Sequence, residues 1–234
     1  MVFTCKNVKA DINLSIDNHK IDRTSKTKFL GVIIDSELSW KHHINYISNK
    51  VAKGIGIIIK ARKVLDRETL ITLYYSFVYP YFQYCNHVWG NTYSTYLHKL
   101  FMLQKRVVRV IAGVKPRDHS GPLFKQLKIL SIYQINMYVI GNFMYQVYHQ
   151  KTLMIFLSLF QTNSNIHRYT TRQANYFHLP LPKKDLRKSS IDYRGVIIWN
   201  KIMSLEIDIN TAKASFSDTL RKCIIESFLH SSRI

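Results

Sequence analysis

The sequence predicts a mainly α-helical protein, opened by a small β-hairpin or sheet edge, continued by a helical bundle and closed by a helical C-terminal extension. Two periodicities carry that prediction. Before residue 35 apolar residues alternate with polar ones, the period of a half-buried strand. From Trp40 onward they step by three and four, the period of an amphipathic helix. A chain of 234 residues, 47% hydrophobic and 21% charged, has enough apolar surface to bury a core for one or two domains.

The elements follow in order. Ile12, Leu14 and Ile16 alternate with Asn13, Ser15 and Asp17, and Asp17-Asn18-His19-Lys20 has the composition of a turn. Lys28 to Asp35 predicts a compact strand, Phe29-Leu30-Gly31-Val32-Ile33-Ile34. Trp40, Ile44, Ile47, Val51, Ile55 and Ile58 then form one helical stripe. Ser39 is the expected N-cap, and Lys41, Lys50, Lys53, Lys60 and Lys63 fall mostly on the opposite side. Gly54 and Gly56 inside this helix suit close packing better than a phosphate loop. A second helix is predicted after Asp66, through Leu70, Leu73, Tyr74 and Phe77, broken or kinked at Pro80. The aromatic stretch Tyr81 to Trp89 is expected to be buried.

A third helix is predicted from Ser94 to near Gly113, a C-cap residue. A short one follows at Pro122 to Leu127. A long one runs from Ser131 to about Tyr148, with Ser131 and Gln134 spaced for a capping box. Thr162 to Lys184 has no clear period and reads as an extended basic segment. Ser189 to Ile202 and Ser215 to Leu229 read as two closing helices.

Charge narrows the function. The chain carries 34 Lys and Arg against 14 Asp and Glu, a net charge of +20, which favours a polyanionic partner: nucleic acid first, an acidic membrane second. The acids are unevenly placed. Between Glu68 and Asp185 there is only Asp118. Metal-dependent phosphoryl or nucleotidyl transfer needs converging carboxylates, and this middle cannot supply them. Neither GxSxG nor a Gly-rich phosphate loop is present. The longest apolar stretches, Ile55 to Ile59 and Leu153 to Phe160, fall short of the roughly 20 residues that span a bilayer, so the expectation is a soluble or peripheral protein, with nucleic acid and no membrane as its partner. No secretory signal follows Met1. With Cys5, Cys85 and Cys223 far apart, the reading is an intracellular setting, nucleus or cytoplasm.

The candidate binding residues are cations. On the third helix Leu97, Leu100, Phe101, Val107, Val108 and Ile111 share one side, while Lys99, Lys105, Arg106 and Arg109 share the other, with no compensating acid nearby. Lys53 and Lys60 on the first helix extend the set. Such a face suits phosphate contacts that are largely blind to sequence. The alternative is an ordinary solvated face. Aromatics such as Tyr74, Phe77, Tyr81 and Trp89 sit at core spacing more than at stacking positions. His42 and His43 diverge by about 100° on a helix and cannot chelate together, and Cys85 with His87 is a poor pair, so no metal site is expected.

From Lys28 the order of motifs resembles a known family. Lys28 to Asp35 followed by Leu38, Trp40 and His43-Ile44 is similar to the downstream end of the reverse transcriptase of non-LTR retrotransposons, the LINE-type elements of the jockey and CR1 kind. The resemblance continues through Leu73-Tyr74-Tyr75-Ser76, Tyr79-Pro80-Tyr81, Val88-Trp89-Gly90 and Leu103-Gln104-Lys105-Arg106 with Arg109 and Ile111. It extends over His119-Ser120, Pro122-Leu123-Phe124, Phe143-Met144-Tyr145, His167 with Tyr169, Thr171-Arg172 and Ile198-Trp199-Asn200. The family's tryptophan-asparagine-x-leucine-proline is replaced by Trp199-Asn200-Lys201-Ile202-Met203.

The resemblance implies three parts: residues 1–38 as the end of a palm-like β segment, 39–150 as a thumb-like helical bundle, and 151–234 as a basic C-terminal extension with two closing helices. It places Phe29, Leu30, Gly31 and Val32 as a primer-grip-like strand. The family's catalytic aspartate-aspartate box has no counterpart in this sequence. The expectation is therefore a fragment that retains template–primer binding, is not an enzyme on its own and holds no cofactor, magnesium belonging to the palm. Implied partners are an RNA–DNA hybrid or duplex and the upstream polymerase portion. The competing reading is a domesticated protein-interaction or architectural module without a polymerase role.

Overall fold

Two short antiparallel hairpins lead into the helices of a computed structural model that describes residues 1–3, 14–166, 173–182, 185–205 and 207–227. Cys5, Ile12, His167, Tyr169, Thr171 and Arg172 lie outside the described residues. Strands β1 (Ser15–Ile16) and β2 (His19–Lys20) pair across Asp17-Asn18, both at positive φ, as a two-residue hairpin turn requires. Strands β3 (Lys26–Phe29) and β4 (Val32–Asp35) form the second hairpin, with Phe29 opposite Val32. The single strand expected over Phe29 to Ile34 is therefore two strands. Leu30 (φ 45°) and Gly31 (φ 83°) make the turn between them. Glycine suits its half of that turn, and Leu30 is held in place by the Tyr84 hydroxyl, which donates to its carbonyl at 2.7 Å.

Helix α1 (Lys41–Ala61) begins after a tight connection, with Trp40 rather than the expected Ser39 at the N-cap position. Leu38 (φ 52°) and Trp40 (φ 62°) are both left-handed. The buried carboxylate of Asp35 accepts from the backbone N–H groups of Glu37 (3.2 Å), Ser39 (2.9 Å) and Trp40 (3.0 Å). The strand-end carboxylate thus holds the connection, while Ser39 Oγ accepts from the Lys41 amide at 3.4 Å, a long contact at the helix start. Ile44, Ile47, Val51, Ile55 and Ile58 are buried along α1, as the stripe predicts, and His43, Ser48 and Gly54 are buried beside them.

Helix α2 (Arg67–Phe77) starts after Asp66, whose carboxyl is held below its usual range by hydrogen bonding to Thr69. Gly54 is where α1 and α2 touch: a Cβ there would lie 2.7 Å from the Phe77 carbonyl oxygen. Pro80 sits in the first turn of α3 (Tyr79–Gln83), and α4 (Asn86–Trp89) follows a left-handed Cys85. Phe82, Asn86 and Trp89 are fully buried. Phe77, Tyr81, Tyr84 and Val88 are exposed, which corrects the expectation that Phe77 and the whole Tyr81–Trp89 run are core. These helices are too short to wrap more than one face in protein.

Helix α5 (Ser94–Ala112) ends at a left-handed Gly113, and α6 (Gly121–Gln126) follows. Helix α7 (Ile132–Tyr148) carries the predicted capping box between Ser131 and Gln134. Beyond it lie α8 (Met154–Leu157), α9 (Asn163–Ile166) and α10 (Asp185–Lys188), then the closing helices α11 (Ile191–Met203) and α12 (Lys213–Ser227). Helix α7 packs on α3, α4 and α5 on one side and on α11 and α12 on the other. One continuous apolar cluster runs from Ile44 to Ile224, with no break in it near residue 150.

The segment expected to be extended beyond Thr162 folds back on itself where it is described. Thr162 bridges Phe177, and the His178 amide donates to Gln161 at 2.7 Å. The Asn200 side chain pairs with both backbone groups of Phe177, accepting at 3.1 Å and donating at 2.9 Å. No described helix is long and apolar enough to cross a membrane.

Candidate nucleic-acid interface

Helices α1 and α5 lie side by side and parallel. Near their starts the Lys99 ammonium donates to Asn45 Oδ1 at 2.8 Å. Near their ends a Cβ on Gly113 would meet the Arg62 guanidinium at 3.8 Å. Both helices turn their apolar stripes inward, since Leu97, Leu100, Val107, Val108 and Ile111 are buried as well. Their polar arcs therefore face outward. Lys53, Lys60, Lys99 and Arg106 are all exposed, and Lys99 and Arg106 lie two turns apart at nearly the same angle around α5.

The other two cations of the α5 set are engaged locally. Lys105 is half-buried with its ammonium 4.4 Å from the Phe101 ring centroid. Arg109 is half-buried and donates through Nε to the Asp118 carbonyl at 2.7 Å. The Asp118 carboxylate accepts from the Lys115 amide at 2.9 Å, so Arg109 pins the loop that leaves α5. The expected four-residue face thus divides into two exposed cations, Lys99 and Arg106, and two that are half-buried and engaged by the fold. Among the described residues, an ion pair joins Arg187 to Asp192 at 3.4 Å, and none involves Lys53, Lys60, Lys99 or Arg106.

The β3–β4 hairpin stands against the start of α1. The Ile33 amide donates to His43 Nδ1 at 3.3 Å. Burial holds the His43 imidazole down to about 4, so it is neutral and available as acceptor near neutrality. Of the four grip-like residues, Val32 is buried, while Phe29 and Leu30 project from the tip. On the same side Lys28 and Lys50 approach the ring of Tyr46 at 4.9 and 5.7 Å. Sequence reading passed over this cluster. The Tyr46–Lys50 spacing of four is legible on a helix, but Lys28 joins them only through the hairpin.

Nothing in this region gathers metal ligands: no group of three or more His, Cys, Asp or Glu is found among the described residues. His42 is exposed and His43 buried, as their angular separation requires. His87 stacks on Phe143 at 5.9 Å.

The chain is 24% identical over 122 residues to the "Probable RNA-directed DNA polymerase from transposon X-element" of Drosophila melanogaster. It is 28% identical over 103 residues to the "RNA-directed DNA polymerase from mobile element jockey" of Drosophila funebris. Over about half of its residues the chain is similar to RNA-directed DNA polymerases of retrotransposons. The jockey polymerase of Drosophila melanogaster matches at 26% over 120 residues. These matches cover 43–50% of this chain and 11–13% of the relatives, so the chain spans about an eighth of their length. No protein-family model matches the chain, and no solved structure matches it.

Several residues in the reverse-transcriptase-like motifs have structural jobs. Gln104 is fully buried; its amide donates to the Tyr74 hydroxyl (2.9 Å) and the Leu130 carbonyl (2.8 Å) and accepts from the Ile132 amide (2.8 Å). It ties α2, α5 and the start of α7 together. Burial pushes the Tyr74 phenol well above its usual range, which keeps it neutral in this network. Trp89 donates to the Tyr84 carbonyl at 2.8 Å, and Trp199 is fully buried against Tyr148 and Phe216.

Proposed function

We propose that this chain is a thumb-like nucleic-acid grip of a retroelement polymerase, which holds a template–primer duplex through phosphates and does not itself supply the catalytic carboxylates. The observation that carries this reading is the outward face of the parallel α1–α5 pair, where Lys53, Lys60, Lys99 and Arg106 stand exposed without a carboxylate partner among the described residues. Like charges held this way repel one another, and phosphates relieve the repulsion while releasing counterions. The kinship to RNA-directed DNA polymerases supports a hybrid or duplex as the ligand. Binding of this kind fixes position along the backbone and carries little base information.

The acids support the second half of the proposal. Asp35, the acid nearest the grip-like hairpin, is buried and committed to three backbone amides. The test is direct. The chain is incubated with a primed RNA template, and both retention and primer extension are measured with magnesium or manganese. Retention without extension is expected. Reproducible extension by the purified chain overturns the non-catalytic part, and absence of retention at low salt overturns the grip.

One observation favours the protein-interaction reading: Leu153, Met154 and Ile155, around α8, are largely exposed. An apolar strip of that kind suits a protein contact. If it is a self-association surface, light scattering will show a concentration-dependent mass, and Met154→Ser will abolish it.

A further inference from the structure

We infer that Lys28 and Lys50, held beside Tyr46, form a second phosphodiester-contact site that extends the interface along α1 to the β3–β4 hairpin. The inference deepens the nucleic-acid reading and rests on it. Lys28 reaches Tyr46 from strand β3, with its ammonium 3.4 Å from the phenol oxygen and 4.9 Å from the ring centroid. Lys50 reaches the same ring from one turn further along α1, at 5.7 Å. Two ammonium groups are thus gathered on one aromatic ring, and neither has a carboxylate partner among the described residues. The electron-rich face of the ring offsets part of their mutual repulsion and leaves two positive charges together at the surface. Each ammonium has three donors and so keeps some for the oxygens of a phosphodiester backbone passing the ring.

The position of Tyr46 decides between phosphate and base. Its ring is half-buried and stacked on His43 at 6.5 Å and 30°, and the two ammonium groups crowd the rest of it. A base has no open face to stack on, so the contact is to the backbone.

The site is continuous with the proposed grip. Tyr46, Lys50, Lys53, Ile57 and Lys60 follow one another at helical intervals of four, three, four and three, a single ridge about 21 Å long, half-buried at Tyr46 and Lys50 and exposed from Lys53 onward. The hairpin adds Lys28 at one end. The ridge therefore places α1, rather than α5, at the centre of the interface, with Lys99 and Arg106 as its flank.

The experiment compares the full chain, Lys28→Gln/Lys50→Gln, and Lys53→Gln/Lys60→Gln/Lys99→Gln/Arg106→Gln, binding a labelled RNA–DNA hybrid across salt. Circular dichroism confirms that each is folded. The first variant is expected to flatten the log–log salt slope by roughly 1.5 to 2 units, about two phosphate contacts. An independent reading needs no variant: lysine acetylation of the parent, mapped by mass spectrometry, should fall at Lys28 and Lys50 when hybrid is bound. An unchanged slope and unprotected lysines, while the second variant weakens, overturn this inference and leave the grip standing. If the parent binds no hybrid, both fall. Inorganic phosphate at equal ionic strength should not protect the two lysines; protection by phosphate alone overturns the nucleic-acid assignment.

Discussion

Asp35 and His43 show how single side chains fix the hairpin to the bundle. The Asp35 carboxylate satisfies three amides of a connection that holds Leu38 and Trp40 at positive φ, conformations that cost energy for residues with a Cβ. Asp35→Asn keeps the size but weakens these bonds and should cost about 1–3 kcal/mol, read from urea unfolding. A neutral effect would mean that the connection does not need its carboxylate. His43 makes a pH prediction. Its folded pKa, about 4, lies below the ordinary 6.5, so between these values the unfolded chain binds the extra proton. The stability it contributes is fully present above about pH 6.5 and is lost as pH falls toward 4. Unfolding midpoints for the parent and His43→Gln should therefore converge across that window. Parallel curves would show that His43 is not buried as the neutral acceptor of Ile33.

At the scale of elements, two glycines three ångströms of rise apart should respond oppositely to the same substitution. Gly54→Ala drives a methyl to 2.7 Å from the Phe77 carbonyl and forces α1 and α2 apart, at a cost of about 1–3 kcal/mol. Gly56→Ala meets nothing within 4 Å and should stabilise by about 0.5–1 kcal/mol through helix propensity. Equal effects would contradict the packing of α1 on α2. The sequence shows two glycines in a helix, but which one is a contact depends on where α2 lands. Helices α1, α2, α5 and α7 were legible because their stripes are long and regular. The hairpin at Leu30-Gly31 was not: its apolar run is continuous, and the turn rests on a left-handed Leu30 held by Tyr84, 54 residues away. The same limit applies to the bridge between Thr162 and Phe177, where Asn200 holds Phe177 from 23 residues away.

For the molecule as a whole, the decisive feature is how charge is distributed over a continuous core. Helix α7 joins the N-terminal helices to α11 and α12 in one apolar cluster, so the basic face of α1 and α5 is backed by a scaffold reaching from Ile44 to Ile224. The candidate site was half legible. Lys53, Lys60, Lys99 and Arg106 could be placed outward from periodicity alone. That Arg109 would pin a loop, that Lys105 would lie over Phe101, and that Lys28 would meet Lys50 at Tyr46 depended on contacts that no single helix contains.

The central claim is that the outward face of α1 and α5 binds nucleic acid through its cations. It is tested most directly by titrating an RNA–DNA hybrid against the parent and against Lys53→Gln/Lys60→Gln/Lys99→Gln/Arg106→Gln over a range of salt. Removing four phosphate contacts should weaken binding at low salt and flatten the log–log slope by roughly 3 to 4 units, with the unfolding midpoint nearly unchanged because exposed charges contribute little to folding. The same affinity and the same slope in a folded quadruple variant would contradict the account.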